Sequence, residues 1–500
     1  MRPSLSRVAM TIVVGLGMAA CAPVGSPAPI TPPPSAIPVP PASTSPSSTG
    51  DPGQASLLPP LPASAALPVR SSAREHSDHL VLTAPGPDQG VYVLIPMRKS
   101  PAVLALLDSM GRPRAGWPIV VPGATFCHQL LPVGDGSIRV VCTMENPDGN
   151  MFDPLGAFAF NPNGRLLAGW PVELEGIFIT GRVVGDDLVL FVSRSLGDLI
   201  PEGQPSFDGG LVIVAAHGEL TNGARLTDLG HCCMWLVGTD GVAYGVAPAT
   251  TDPSPQARNS SITAVDISGA RSGWPVSFEG VASLPGLRPG ERTVVVAGSL
   301  DGRTSQVLTF ERTGQAASAT SPMIPIRTVE ITGDTGGCVA SIPQPPVIAR
   351  DGTTFVYSEL DTAVYSLDPS LSIKAGWPFR PSAPLVEARP GFESEHEAGY
   401  CPPPVVPAVG PDGAIYLPLR ATSSTVGGSL VAVDPDGRVR AGWPLELKRP
   451  GAEFWSVVVG SDGTAYALAI EPEAGRASSA TILAIAPDST IVYTTTIIDP

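Results

Sequence analysis

The stretch AVDPDGRVRAGWPLEL, residues 432–447, recurs along this chain and decides its fold. It combines a short apolar run, a turn of the Asp-x-x-Gly type and a Gly-Trp-Pro triplet. Four further copies carry the same triplet: LLDSMGRPRAGWPIVV (106–121), AFNPNGRLLAGWPVEL (159–174), AVDISGARSGWPVSF (264–278) and SLDPSLSIKAGWPFRP (366–381). Five copies with one upstream pattern indicate an internal repeat.

The spacing of the tryptophans predicts additional, degenerate copies. The five are Trp117, Trp170, Trp274, Trp377 and Trp443, and the second and third gaps are about twice as long as the first. Weaker copies lie in those two gaps and at the C-terminus: VAAHGELTNGAR (214–225), FERTGQAASATS (310–321) and IAPDSTIVYTT (485–495). They place Ala224, Thr320 and Thr495 where the other copies have tryptophan. The repeat therefore occurs eight times.

A second repeated element precedes each copy. Its clear examples are VGPDGAIYLPL (409–419), VGSDGTAYALAI (459–470), VGTDGVAYGVA (237–247) and IARDGTTFVYS (348–358). Looser examples lie at 86–95, 133–142, 184–192 and 299–308. Each is typical of two strands joined by an Asp-Gly turn, because glycine supplies the positive φ that such a turn needs. Every unit therefore contains two hairpins, or four strands.

Eight four-stranded units predict an all-β fold, a single β-propeller of eight blades. Seven blades are the alternative, if one weak copy serves as a cap. A stacked solenoid is the competing architecture, but its repeats are usually shorter and do not contain two hairpins. We interpret the five tryptophans as packing residues between neighbouring blades rather than as ligand-stacking residues.

The string V-x-x-D-G-x-x-Y, followed by A-V-D-x-x-G-x-x-x-x-x-W, resembles the repeats of the quinoprotein, or PQQ-like, β-propeller superfamily. The resemblance covers about residues 80–500. It implies the propeller fold, and the superfamily includes both quinone-dependent dehydrogenases and a lipoprotein. The dehydrogenases need calcium ligands and a catalytic aspartate, and no segment here matches those ligands in order. Asp-Pro-Asp-Gly at 434–437 has too few ligands for a calcium loop and is typical of a tight turn.

We therefore expect no cofactor, no metal and no catalytic residues in this chain. The favoured interpretation is a non-catalytic module that binds or scaffolds a protein or a glycan. A quinoprotein-type oxidoreductase is one alternative. A glycan-processing hydrolase is another, since the sequence cannot show whether paired carboxylates meet in the channel.

The N-terminus is typical of an exported protein. Arg2 and Arg7 accompany the apolar run at 8–20, which is too short to cross a membrane as a mature helix, so residues 1–20 are predicted to be a signal peptide. Small residues before Cys21 resemble the lipobox of bacterial lipoproteins, which predicts acylation of Cys21. The alternative is an ordinary signal peptide that is cut nearby. The protein is then expected at the bacterial cell envelope, with its head outside the cytoplasm.

Composition separates a tether from the folded domain. The chain has 54 glycines and 58 prolines, and residues 21–72 are rich in Pro and Ser, so we predict a disordered, lipidated linker there and the propeller at 73–500. The formal net charge is -15 at pH 7. Because an acidic surface repels phosphate backbones, nucleic acid is not expected as a partner.

Topology predicts which face binds. All Asp-Gly turns lie at one end of the sheets, so the connections between hairpins and between blades lie at the other end. The longest are 193–210, 247–261 and 381–404. Long loops on a rigid scaffold are where binding usually occurs. The last of the three is acidic, which favours a basic partner or a cation, although a solvated loop is the simpler interpretation.

Six cysteines follow Cys21, and an even number in an exported chain predicts disulfides. The candidates are Cys127 with Cys142 across one hairpin, Cys338 with Cys401 between two blades, and Cys232 with Cys233 as a vicinal disulfide or as free thiols. The segments His231-Cys232-Cys233 and Cys127-His128 both begin inner strands, where a soft metal could bind. They lie two blades apart without regular ligand spacing, so structural disulfides are favoured.

Overall fold

The computed structural model describes only part of the chain. The described residues are 56–57, 65–68, 81–95, 101–145, 154–193, 209–226, 235–248, 259–279, 281–283, 285–288, 293–299, 304–314, 321–325, 346–358, 360–385, 407–421, 426–471 and 479–498. The predicted signal peptide and Cys21 lie outside these ranges. Within them the chain is all β, and no helix is long and apolar enough to span a membrane.

The first strands and the first four sheets follow one another in chain order. Two short strands come first, β1 (Ser56–Leu57) and β2 (Ala65–Pro68). Sheet 1 contains β3 (Leu82–Pro85), β4 (Val91–Ile95), β5 (Val103–Leu107) and β6 (Ile119–Val120). Sheet 2 contains β7 (Ala124–Pro132), β8 (Ile138–Met144), β9 (Leu155–Phe160) and β10 (Val172–Leu174). Sheet 3 contains β11 (Ile177–Val184), β12 (Asp187–Ser193), β13 (Gly209–Val214) and β14 (Leu220–Asn222). Sheet 4 contains β15 (Trp235–Val237), β16 (Ala243–Pro248), β17 (Asn259–Asp266), β18 (Gly269–Ala270) and β19 (Val276–Glu279).

Four more sheets complete the described part of the chain. Sheet 5 contains β20 (Val281–Ala282), β21 (Gly286–Leu287), β22 (Thr293–Ser299) and β23 (Ser305–Glu311). Sheet 6 contains β24 (Val347–Ile348), β25 (Thr354–Ser358) and β26 (Ala363–Leu367). Sheet 7 contains β27 (Ala408–Val409), β28 (Ile415–Leu419), β29 (Ser429–Val433) and β30 (Leu445–Glu446). Sheet 8 contains β31 (Glu453–Val459), β32 (Ala465–Glu471), β33 (Ser479–Ile485) and β34 (Ile491–Ile498).

Within each sheet the neighbouring strands from β3 onward are antiparallel and follow chain order, with two exceptions. In sheet 4, β18 and β19 both pair with β17, and in sheet 5, β20 and β21 both pair with β22. The second strands are continuous apolar runs, such as VYVLI in β4 and IYLPL in β28, and every residue of these two is buried. Such runs form because both faces of these strands are covered, so no polar alternation is needed.

Apolar clusters join consecutive sheets into a closed ring. Among the described residues eight clusters are found, and each combines side chains from two successive sheets. The cluster that contains Val93 of sheet 1 also contains Ile482 of sheet 8, so the last sheet packs against the first. This arrangement confirms the β-propeller prediction, and the eight described sheets correspond to the eight copies of the repeat.

The Gly-Trp-Pro tryptophans lie between successive sheets. All five are 6–8% exposed, and each indole N–H donates to a backbone carbonyl in the next sheet. The donor and acceptor pairs are Trp117 with Pro162 (2.9 Å), Trp170 with Ala216 (3.1 Å), Trp274 with Arg312 (3.0 Å), Trp377 with Pro435 (3.1 Å) and Trp443 with Pro487 (3.2 Å). The hydrogen bonds satisfy the polar atom of an otherwise apolar ring, as a buried indole requires.

The glycine of the triplet allows the backbones of two sheets to touch. Gly376 has φ +86°, and a Cβ placed on it would lie 2.1 Å from the carbonyl oxygen of Asp436 in the next sheet. Gly437 faces it from that sheet, with its own φ at +84° and a Cβ position 2.4 Å from the Gly376 carbonyl. Two glycines in mutual contact thus bring the backbones closer than any side chain would permit.

The first two strands depart from the prediction for the linker. β1 pairs in parallel with β30, and β2 pairs in parallel with β34, so each adds a fifth strand at the outer edge of sheet 7 or sheet 8. Two short strands, at 56–57 and 65–68, therefore lie within the segment 21–72 whose composition predicts a linker. These two windows contain Ala, Leu and Ser, and the one proline, Pro68, ends an edge strand, where a missing N–H is tolerated.

Candidate binding face

Each sheet has two different ends. At the turn end, tight turns join the first strand to the second and the third to the fourth, as at 133–137 and 161–165 in sheet 2. At the connector end, the second strand leads to the third, and one sheet leads to the next. Because every sheet has this topology, the turn ends lie on one face of the propeller and the connector ends on the other.

Tyrosine hydroxyls connect the turns of neighbouring sheets. Tyr92 donates to the Gly136 carbonyl of sheet 2 (2.5 Å), and Tyr466 of sheet 8 donates to the Gln89 carbonyl of sheet 1 (2.7 Å). Burial raises the pKa of both hydroxyls well above the ordinary value of 10, so they remain donors. These two tyrosines therefore join sheets in the same way as the Gly-Trp-Pro tryptophans, whereas the hydroxyls of Tyr244 and Tyr416 have partners within their own sheets.

Carboxylates at the turn end bind nearby donors. Arg440 of sheet 7 donates to Asp434 (2.7 Å), Asp412 (2.5 Å) and the hydroxyl of Tyr416 (3.2 Å). Desolvation lowers the pKa of Arg440, but the hydrogen bonds to the two carboxylates outweigh it, and the pKa is raised overall. Asp436 accepts from the backbone N–H of Arg438, which is ordinary turn chemistry. Both carboxylates of the Asp-Pro-Asp-Gly turn thus have partners within the sheet.

The longest connections all leave from the connector end. The strand ends that flank them pair directly, for example Ser193 with Gly209 and Glu471 with Ser479. The connections between these residues, at 194–208 and 472–478, lie outside the described residues, as do 249–258 and 386–406. The described residues at the connector end include exposed apolar side chains on four different sheets: Val120, Met323, Leu360 and Val426.

One of the predicted disulfides is confirmed. Cys127 on β7 and Cys142 on β8 face each other in register, with 3.8 Å between their Cα atoms, and their sulfurs are bonded. Because Cys127 is disulfide-bonded, it has no thiolate that could coordinate a metal. The other candidates, Cys232, Cys233, Cys338 and Cys401, lie outside the described residues, as does His231.

His128 lies next to this disulfide and contacts two sheets. Its Nε2 is 2.9 Å from the Thr143 hydroxyl, and its ring packs against Phe126 at 4.9 Å and Phe178 of sheet 3 at 5.3 Å between centroids. Burial lowers the pKa of His128 to about 4, so the ring is neutral at ordinary pH. Across the described ranges no three His, Cys, Asp or Glu side chains are grouped so that they could hold a metal ion.

The sequence did not reveal the role of the tyrosine in V-x-x-D-G-x-x-Y. In the structure Tyr416 packs edge-on against Trp443 of the same sheet, at 5.4 Å between centroids, and Tyr92 does so against Trp117 at 5.7 Å. The two repeated elements are therefore two parts of one packing unit. The available signal was that two of the clear copies, those with Tyr244 and Tyr416, each precede a Gly-Trp-Pro copy.

Comparisons with known proteins give no family for this chain. No protein-family model and no curated protein matches it. Solved structures with a similar fold include an uncharacterized protein from Listeria monocytogenes EGD-e, 9% identical, covering 87% of this chain and 98% of that one at a TM-score of 0.41. Others are streptogramin B lyase (11%, 70% and 92%, TM-score 0.36) and the dihydro-heme d1 dehydrogenase NirN (13%, 78% and 77%, TM-score 0.40). Likeness at this level carries no argument about activity.

Proposed function

We propose that this protein is a non-catalytic binding or scaffolding module of the bacterial cell envelope, anchored through an acylated Cys21. Its partner, a protein or a glycan, binds the connector end of the propeller. The observation that carries this proposal is that the turn end and the connector end of the sheets carry different kinds of residues and segments. The repeated Tyr, Trp, Gly and Asp residues at the turn end form contacts within and between sheets, whereas the long insertions emerge at the connector end.

The described surface of the connector end supports a binding role. Val120, Met323, Leu360 and Val426 are exposed there, on sheets 1, 5, 6 and 7. Single exposed apolar residues are normal on a protein surface, but these four lie at the end of the sheets from which the longest connections emerge. A partner that covers this end would bury apolar side chains from several sheets at once.

The anchor is supported by the sequence alone. Arg2 and Arg7 accompany an apolar run that ends at Cys21, and a proline-rich stretch separates that cysteine from the first described strand, β1. An acyl chain on Cys21 would hold the protein at a membrane, while the proline-rich stretch would let the propeller reach a partner in the envelope.

Site-specific photo-crosslinking in the producing bacterium tests the binding face. A benzophenone amino acid replaces Val426 at the connector end, and the matched control carries it at Val439 on the outer strand at the turn end. The two residues have similar exposure, 39% and 42%. We expect discrete adducts from position 426 and none from position 439. Adducts from 439 alone, or from neither position, would contradict the proposal.

A further inference from the structure

The ring closes where sheet 8 packs against sheet 1, and this closing junction differs from the other seven in how the chain passes through it. At each of the others the chain leads from one sheet forward into the next, as from β10 to β11 between sheets 2 and 3. Sheet 1 precedes sheet 8 in the sequence, so the chain cannot pass forward from β34 into β3. The closing junction therefore needs another connection or depends on side-chain contacts.

The side chains at the closing junction do not include a Gly-Trp-Pro indole. Thr495 occupies the tryptophan position and donates to the Gly111 carbonyl of sheet 1. Tyr493 lies against the same glycine, because a Cβ on Gly111 would overlap its ring. Burial raises the pKa of Tyr493 well above 10, yet its buried hydroxyl has no hydrogen-bond partner among the described residues. The junction thus lacks the large indole and contains a buried donor without an acceptor, which costs free energy.

The N-terminal strand β2 supplies the missing connection. It pairs over its full length, Ala65–Pro68, with residues 495–498 of β34, and so forms the outer edge of sheet 8. Because the two strands are parallel and β34 follows the turn at 486–490, both run toward the connector end. β3 of sheet 1 begins at that same end, at Leu82. The chain thus passes from the outer edge of sheet 8 into the inner strand of sheet 1, as it does between other sheets.

β1 extends this arrangement by one sheet. It pairs in parallel with β30 at the outer edge of sheet 7, with Ser56 opposite Leu445 and Leu57 opposite Glu446. The chain therefore pairs first with sheet 7 and then with sheet 8 before it enters sheet 1. Three sheets are connected in the order in which they follow one another around the ring.

We propose that β1 and β2 form a detachable strap that closes the ring, and that detachment of the strap opens the propeller at the junction between sheets 8 and 1. A short connection favours contact between two sheets, because it raises their effective concentration and lowers the entropic cost of bringing them together. The junction between sheets 7 and 8 also loses the strap on detachment, but it retains Trp443 and a direct chain connection. Because β2 has only four paired residues at a sheet edge, it can detach while the sheets remain folded.

Hydrogen exchange of the full chain, followed by mass spectrometry, tests the strap. The double variant Ala66→Pro/Leu67→Pro removes two backbone N–H groups from β2 and interrupts its pairing with β34. Because sheets 8 and 1 then lose a connection, we expect exchange in β4, β5, β33 and β34 to become roughly tenfold faster or more. β8, β9, β12 and β13, at the junction of Trp170, should exchange as in the wild type.

Ala42→Pro/Ser43→Pro is the matched control, because it introduces the same two prolines upstream of β1. This control should exchange as the wild type does in every sheet. Wild-type exchange rates at the closing junction of the β2 variant would overturn the proposal, and so would an equal increase at all eight junctions.

The wild type gives a second measurement that needs no variant. In urea below the unfolding transition, exchange in β2, in sheet 8 and in sheet 1 should accelerate together, before exchange in sheets 2 and 3 does. Acceleration of all eight sheets in a single step would overturn the strap. Neither measurement bears on the partner at the connector end or on acylation of Cys21, so the proposed function is tested separately.

Discussion

Replacing Gly376 by alanine is expected to destabilise the protein by about 2–4 kcal/mol, the sum of backbone strain and steric overlap. At φ +86° an alanine is strained by itself, and its methyl group would lie 2.1 Å from the carbonyl oxygen of Asp436. That oxygen belongs to the backbone of the next sheet and cannot rotate away. Urea unfolding, followed by tryptophan fluorescence, measures the change.

Gly241→Ala is the matched control. Gly241 also has positive φ, +74°, but no atom lies within 4 Å of its Cβ position. Its substitution should therefore cost only the strain, about 1 kcal/mol. If the two variants lose the same stability, the close contact between backbones contributes nothing, and glycine is present in the triplet for its φ alone.

Trp443→Ala is expected to cost about 3–5 kcal/mol, the usual range for removing a large buried aromatic side chain. The indole is 6% exposed, packs against Tyr416 and donates to the Pro487 carbonyl of sheet 8. Its removal leaves a cavity between sheets 7 and 8 and a carbonyl without its donor. The free energy of unfolding in urea gives the magnitude.

Trp443→Phe separates the two contributions. Phenylalanine keeps an aromatic ring in the interface but has no N–H for the Pro487 carbonyl, so most of its cost, about 1–2 kcal/mol, should come from the hydrogen bond and the reduced ring. A Phe variant as unstable as the Ala variant would show that the ring contributes little to the interface. An Ala variant as stable as wild type would remove the packing role altogether.

The repeat made the fold accessible from sequence. Two hairpins in one motif, copied eight times, allow few arrangements, and the double gaps around Trp274 pointed to the weak copies before any contact was known. The Cys127–Cys142 pair could also be predicted, because both cysteines flank one Asp-Gly turn at similar distances. Both inferences depend on local geometry, which short stretches of sequence determine well.

Contacts between neighbouring repeat units could not be predicted from the sequence in this way. Ala224 lacks an indole, yet its backbone N–H donates to the Ile267 carbonyl of the next sheet at 3.0 Å. Thr495 lacks one too, and its hydroxyl donates to the Gly111 carbonyl of sheet 1 at 2.7 Å. A backbone N–H or a hydroxyl thus replaces the indole N–H as the donor to the next sheet. This replacement is visible only in the assembled ring.

The parallel strands β1 and β2 were missed for a different reason. Both strands are short, and the residues next to them in sequence do not indicate pairing, because the partner strands β30 and β34 lie near the opposite end of the chain. Proline content dominates the composition of residues 21–72 and masks two segments that are compatible with an edge strand.

Ring closure is the central claim, because the connector end exists as one face only if the sheets surround a common axis. The distance between spin labels at Met110 of sheet 1 and Val492 of sheet 8, both exposed, tests it most directly. Labels on unnatural amino acids leave the native cysteines unchanged. A closed ring places these sheets in contact and predicts a narrow distance below about 25 Å, since packed sheets lie roughly 10 Å apart. A linear stack of the same eight sheets would give about 70 Å, and that result would contradict the account.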